Sequence, residues 1–470
     1  MSSTAANGSS RAILGRGMIY TIGTAAPILA NALVTPAVTR AVGSVEFGRV
    51  SLLIQLIQVT MLVCSLGLAA AITRHGLIEA SGVPGASALT LRASGIAAVL
   101  CLMGAFGSPA LDLVVGVDDP WLVALGCVAA AGFACMANAQ AFLRVVDRPL
   151  PFVMLALVAT LGGPVIGLGL VLLHQASAVD FVSGLAAGYV LAGAVGLALT
   201  LRGARPRPLP GDLARALRIG VPTVPHAVGL YLSTAVLVFV VAHTFGTADA
   251  GRMQLAILLG SAPSVLTTAL NNAWAPLVYA APRGERASLI EGTGRDIALI
   301  TAAASGFVAA VAPLVLVVLA DARFDPAPMT PAVAWMALGG LISVVYLGSV
   351  HLVFAEGRST GLAIVTPLSV AVGTAAAVAL SRTGDVPLTA AGMTVTYTAL
   401  AIGAWLLARR VSPERWRPTT MGPAVAIGSA LCLAGALAPI DGPEGWLTRT
   451  VLAIGCVALA CGRFVRVMRG

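Results

Sequence analysis

Two short segments of this 470-residue chain repeat one arrangement of residues able to do charge chemistry. Val38 to Leu52 reads VTRAVGSVEFGRVSL, and Val241 to Leu255 reads VAHTFGTADAGRMQL. At a constant offset of 203 they share G-x-x-[ED]-x-G-R, pairing Gly43 with Gly246, Glu46 with Asp249, Gly48 with Gly251 and Arg49 with Arg252. A guanidinium three residues beyond a carboxylate has two uses. It pairs with that carboxylate and pins the turn, or it holds a phosphate through two parallel hydrogen bonds. Arg40 adds a further guanidinium beside the first copy. All 28 basic residues of the chain are arginine and none is lysine. A GC-rich genome explains that bias as well as chemistry does, although arginine keeps its charge in poor solvent better than lysine.

Side-chain amides are the second signal, because they interrupt long apolar stretches. Gln55 and Gln58 stand at i and i+3, while Gln254, Ser261, Thr268 and Asn271 or Asn272 recur at helical spacing further along. Such stripes give each helix one polar face. In a lipid-solvated helix that face turns toward protein or toward a water-filled cavity. Pro27 and Pro36, and again Pro222 and Pro225, fall in the apolar stretches that precede the two motif copies. Proline frees a backbone carbonyl and bends a helix, which suits a gating element. His226, His243, His351 and Glu356 are isolated, and each reads more readily as a packing residue than as a functional one. The pairs Gly163/Gly167 and Gly184/Gly188 have the spacing that lets helices approach closely.

The elements that hold these residues are read from composition. Hydrophobic residues make up 58% of the chain and charged residues 10%, with a mean hydropathy of +0.95. An average soluble domain is about 25% charged, so the chain reads as an all-α, polytopic membrane protein. A span needs about 20 apolar residues. Cutting at charges, prolines and turn residues predicts about 14 transmembrane helices, from 18–38, 48–72 and 91–111 to 421–439 and 447–464. With the N-terminus cytoplasmic, 22 arginines fall inside and six outside, against eight and eleven acidic residues. Arginine accumulates in short cytoplasmic loops. The net charge of +9 is therefore an orientation signal placing both termini in the cytoplasm, and it does not point to nucleic acid. No Walker A sequence is present, and the seven cysteines fall inside the spans with no metal-ligand spacing, so no cofactor is expected.

The motif copies end the first and seventh spans, so the repeat period is six. An even period puts both copies in the same orientation, the parallel type of transporter repeat. The expected organisation is a cytoplasmic tail over 1–17, a six-helix half over 18–201 and a proline-stiffened linker over 202–218. A second six-helix half over 219–408 follows, and 409–470 supplies a loop and two extra C-terminal helices.

The segment TRAVGSVEFGRVSLLIQLIQVTMLVCSLGLAAAITRHG resembles the oligosaccharide flippase branch of the multidrug, oligosaccharidyl-lipid and polysaccharide exporter superfamily. That family carries an arginine followed by L-G-x-x-x-[FY]-G between its first two spans, then G-[LIV]-x-x-A-[IL]-x-R. Here these positions are Arg40, Val42, Gly43, Phe47 and Gly48, then Gly67, Leu68, Ala71, Ile72 and Arg74, with Val42 in place of the leucine. The motif match covers roughly the first 75 residues and the repeated copy.

The resemblance implies alternating-access translocation of a polyprenyl-diphosphate-linked oligosaccharide to the outer leaflet, for cell-surface polysaccharide biosynthesis. It implies a cell-membrane location, contact with membrane lipids and association with glycan-assembly enzymes. Arg40, Arg49 and Arg252 would meet the diphosphate, and Gln55, Gln58, Gln254, Asn271 and Asn272 the sugar. The alternative is a cation-coupled multidrug exporter of the same superfamily. Against it, the first span has no carboxylate, a group such exporters commonly use there. A membrane-embedded glycosyltransferase or glycan polymerase fits less well, because no outer loop is long enough to house a catalytic site.

Overall fold

A computed structural model of the chain describes residue 30 and residues 32–469. The expected tail over 1–17, Pro27 and most of the expected first span lie outside the described residues. The described end of that span is the apolar helix α1, Ala32–Val42. Among the described residues the structure is helical, without strands, and thirteen helices are long and apolar enough to cross a membrane.

The chain divides into two compact units, Met1–Val228 and Gly229–Gly470. The first contains α2 (Ser44–Cys64), α3 (Leu68–Ile78), α4 (Gly82–Phe106), α5 (Pro120–Val145), α6 (Pro149–Leu173), α7 (Ala178–Gly203) and α8 (Asp212–Gly220). Helix α9 (Val224–Phe245) carries the division. The second unit holds α10 (Thr247–Gly260), α11 (Ala262–Ala280), α12 (Arg286–Leu319), α13 (Thr330–Ala355), α14 (Leu362–Ser381), α15 (Ala391–Val411), α16 (Gly422–Leu437) and α17 (Gly442–Arg469).

Each unit is built around one deeply buried helix. In the first, α5 packs against α4, α7 and α2; in the second, α13 packs against α12, α15 and α10. These are the fourth and tenth spans with their third, sixth and second, or ninth, twelfth and eighth, neighbours. The period-six repeat thus reappears as one packing pattern inside each unit. Alanine and glycine dominate the contacts, among them Ala129, Ala130 and Ala134 of α5 and Ala298 and Ala302 of α12. Lipid is as apolar as leucine, so close backbone approach is what drives association here. Residues 202–218, expected as a linker, fold onto the first unit, where α8 packs on α3. Helices α16 and α17 both pack on α12.

Two spans are interrupted where hydropathy gave no warning. The expected span 48–72 ends at Cys64 and restarts at Leu68 after Gly67 in the left-handed region. The span 253–280 is broken at Ser261 between α10 and α11.

Candidate functional site

The two motif copies take up one geometry. A helix stops, a single glycine turns, and the next helix starts. Gly43 has φ 79° and ψ 176°, and Gly246 has φ 101° and ψ 172°. That region is essentially glycine-only, which explains why the motif opens on glycine. Gly43 donates its N–H to the Thr39 carbonyl and Gly246 to that of Ala242, while their own carbonyls accept from Phe47 and Ala250. Inside each turn the arginine donates to the acid three residues earlier: Arg49 Nη1 lies 3.1 Å from Glu46 Oε1, and Arg252 Nη1 lies 3.1 Å from Asp249 Oδ1.

Beyond that pair the copies diverge. Glu46 Oε2 also accepts the Ala178 N–H at 2.7 Å, so the first turn caps α7. In the second copy the arginine reaches out instead, and Arg252 Nε donates to the Phe324 carbonyl at 2.5 Å. Both arginines are partly buried in these pins. Arg40 is exposed and donates to the Pro36 carbonyl at 2.8 Å, one turn back in α1.

In the first unit Gln55 is buried and Gln58 half-buried on α2. In the second, Gln254 is half-buried on α10, Asn271 half-buried and Asn272 exposed on α11. The Asn271 carbonyl oxygen is buried without a hydrogen-bond partner. The expected continuous stripe is divided by the break at Ser261, and its hydroxyls are self-satisfied: Ser261 donates to Leu258 and Thr268 to Ser264. Pro36 lies within α1, whereas Pro222 occupies a 3₁₀ turn, Val221–Thr223, and Pro225 the first turn of α9.

A pocket of about 450 Å³ opens beside Arg252, lined also by Asp249, Asp325, Thr383 and Asp385. Sequence reasoning missed Asp325 and Asp385 because they sit in separate loops. Their signal was the excess of acidic residues on the side assigned as outer. Three carboxylates around one guanidinium make this pocket suited to hydroxyl-bearing ligands more than to a bare anion. Among the other residues singled out, His351 is buried, T-stacked on Trp274 and 3.4 Å from the Tyr279 hydroxyl. His243 bonds the Phe239 carbonyl and Glu356 lies 3.9 Å from Arg283.

A polytopic helical protein in which the second unit repeats the packing of the first has a membrane-transporter architecture. Within it, the chain belongs to the polysaccharide biosynthesis protein family, whose profile matches residues 37–328. The fold is similar to that of a lipid II flippase, MurJ, in an inward closed conformation, with TM-score 0.73 and 10% identity over 96% of this chain and 100% of that one. It is also similar to an inward-facing multidrug resistance MATE transporter of the MOP superfamily, with TM-score 0.62 and 14% identity over 82% and 94%. A eukaryotic MATE transporter, AtDTX14, aligns with TM-score 0.57 and 14% identity over 88% and 97%. No curated protein matches the sequence.

Proposed function

We propose that the chain translocates a polyprenyl-diphosphate-linked oligosaccharide from the cytoplasmic to the outer leaflet of the cell membrane, as a step in making a surface polysaccharide. The observation that carries this reading is the membership of a polysaccharide biosynthesis family in a chain whose fold matches a lipid II flippase along almost its whole length. Such a substrate brings sugar hydroxyls, two phosphates and a tail that stays in the bilayer. Gln55, Gln58, Gln254, Asn271 and Asn272 supply groups for the hydroxyls. Arg40 and Arg49 supply positive charge at the turn through which the first repeat begins. Arg252, set among three carboxylates, supplies a donor for hydroxyls at the second. Pro36, Pro222 and Pro225 supply the bends on which those helices move, with Pro27 read from sequence alone. In this reading the residues 18–201 and 219–408 alternate as two halves, both termini are cytoplasmic, and the enzymes that assemble the glycan are partners. The chain transports and performs no bond chemistry.

A deletion strain tests the proposal. It should accumulate the lipid-linked glycan in the cytoplasmic leaflet, and the wild-type gene should clear it. Normal surface polysaccharide without accumulation would reject translocation. The second reading, a cation-coupled multidrug exporter, rests on the fold shared with MATE transporters. The described part of the first span carries no carboxylate for cation coupling. Drug sensitivity in the same deletion strain, with normal glycan, would favour it.

A further inference from the structure

The arginine-rich end of the first unit carries a groove that the translocation reading leaves unused. Its floor and walls come from residues 204–217 lying against α4. Ser87 Oγ donates to the Ala204 carbonyl at 3.0 Å. The Arg207 N–H donates to the Pro84 carbonyl at 3.1 Å, which ties the proline-stiffened segment to the start of α4. Helix α8 forms the other wall. Its Asp212, Ala216 and Gly220 are buried, with Ala216 in the core beside Leu68 and Ile72. Asp212 is anchored further by His75 at 3.3 Å and by Arg215. Fixed in this way, α8 and the segment before it enclose about 540 Å³ with Arg92 of α4, lined by Pro208, Leu209, Pro210, Leu213 and Leu217.

The lining is apolar but for the Arg92 guanidinium. On a helix at 100° per residue, Leu213, Ala214 and Leu217 share the groove side of α8, and Arg218 stands one turn beyond Ala214. Arg92 and Arg218 are exposed, and neither pairs with a carboxylate among the described residues. The surroundings supply none to spare. Nine arginines from Arg74 to Arg218 share this end with Glu79, Asp147 and Asp212, and Glu79 and Asp212 are already engaged by Arg74 and Arg215.

We propose that this groove binds an anionic phospholipid of the surrounding bilayer, its phosphate between Arg92 and Arg218 and its glycerol and upper chains against Leu209, Leu213 and Leu217. The site lies at the level where α4 passes from its polar start to its apolar run, which is where a headgroup sits. A basic pocket at that depth recognises headgroup charge, and the leucines select a lipid over a soluble phosphate.

The test uses the full-length chain in detergent, given equal amounts of phosphatidylglycerol and phosphatidylcholine, with retained lipid counted by native mass spectrometry. The wild-type chain should retain phosphatidylglycerol in preference. Replacing Arg92→Gln and Arg218→Gln together should lower that preference by about twenty-five-fold, each arginine near a headgroup being worth about a factor of five. The pair Arg92→Lys and Arg218→Lys should keep most of the preference, which separates lost charge from lost fold. Arg295→Gln with Arg358→Gln, exposed arginines of the second unit, should leave it unchanged. An unaltered preference in the glutamine pair, an equal fall in the second-unit pair, or full displacement by inorganic pyrophosphate would each overturn the proposal.

Discussion

Arg449 shows how much one side chain can organise. It is 4% exposed in α17 and has no carboxylate partner in the contacts that surround it; instead it donates to five backbone carbonyls, those of Pro439, Ala309, Ala310, Gly435 and Ala438. Two causes meet there. Pro313 inside α12 has no N–H to give, which leaves the Ala309 carbonyl one helical turn earlier without its usual donor. The end of α16 at Leu437 leaves further carbonyls open. A planar guanidinium with five donors serves all of them, and a lysine with three cannot. Arg449→Ala should therefore destabilise the second unit by about 3 kcal/mol, and Arg449→Lys should recover only part of it, both read as the temperature at which the detergent-solubilised chain aggregates. Equal stability of all three would mean the carbonyls are served by water. In the sequence Arg449 is one of six arginines assigned to the outer side and nothing sets it apart, because its partners are backbone atoms 10 to 140 residues away. The paired turns at Gly43 and Gly246 are legible for the opposite reason: the contacts that the two copies share all lie within four residues.

At the scale of elements, hydropathy locates nearly every span, because crossing the bilayer demands a long apolar run whatever it packs against. It does not locate the breaks at Ser65–Gly67 and at Ser261, since leaving a helix for one to three residues changes no apolar count. The glycine pairs fall between these cases. Their spacing predicts a close crossing, and the structure shows which helices make it. A Cβ on Gly184 would lie 2.0 Å from the Gly167 nitrogen, and one on Gly188 would lie 2.5 Å from the Gly163 Cα. Helices α6 and α7 thus touch backbone to backbone over two turns, next to the π-helical stretch Val158–Gly162. A side chain at Gly184 can only be accommodated by parting the helices. Gly184→Leu should lower the yield of monodisperse protein in size-exclusion chromatography by about tenfold, overpacking of this kind costing about 1–3 kcal/mol or more. Gly169→Leu, where a Cβ meets nothing within 4 Å, should behave as wild type. If the two variants behaved alike, the crossing would not depend on glycine.

At the scale of the whole molecule, the sorting of charge makes a claim about sidedness that packing alone does not test. The positive-inside rule assigns the arginine-rich loops to the cytoplasm, and impermeant thiol reagents read that assignment directly. The seven native cysteines are free, so they are first replaced, Cys461 being the exposed one among them. Single cysteines at Asp118 and Asp441, exposed residues assigned to the outer side, should then be labelled in intact cells. Cysteines at Arg207 and Arg410, exposed residues assigned to the inner side, should be labelled only after lysis. Glu414 is a poor reporter for that side, because it is half-buried and its Oε2 accepts the Ala287 N–H at the start of α12. Labelling of Arg207→Cys and Arg410→Cys in intact cells, with Asp118→Cys and Asp441→Cys protected, would invert the orientation. The direction of translocation proposed above would invert with it, since the turns of Arg49 and Arg252 would then face the cytoplasm and the groove beside Arg92 the outer leaflet.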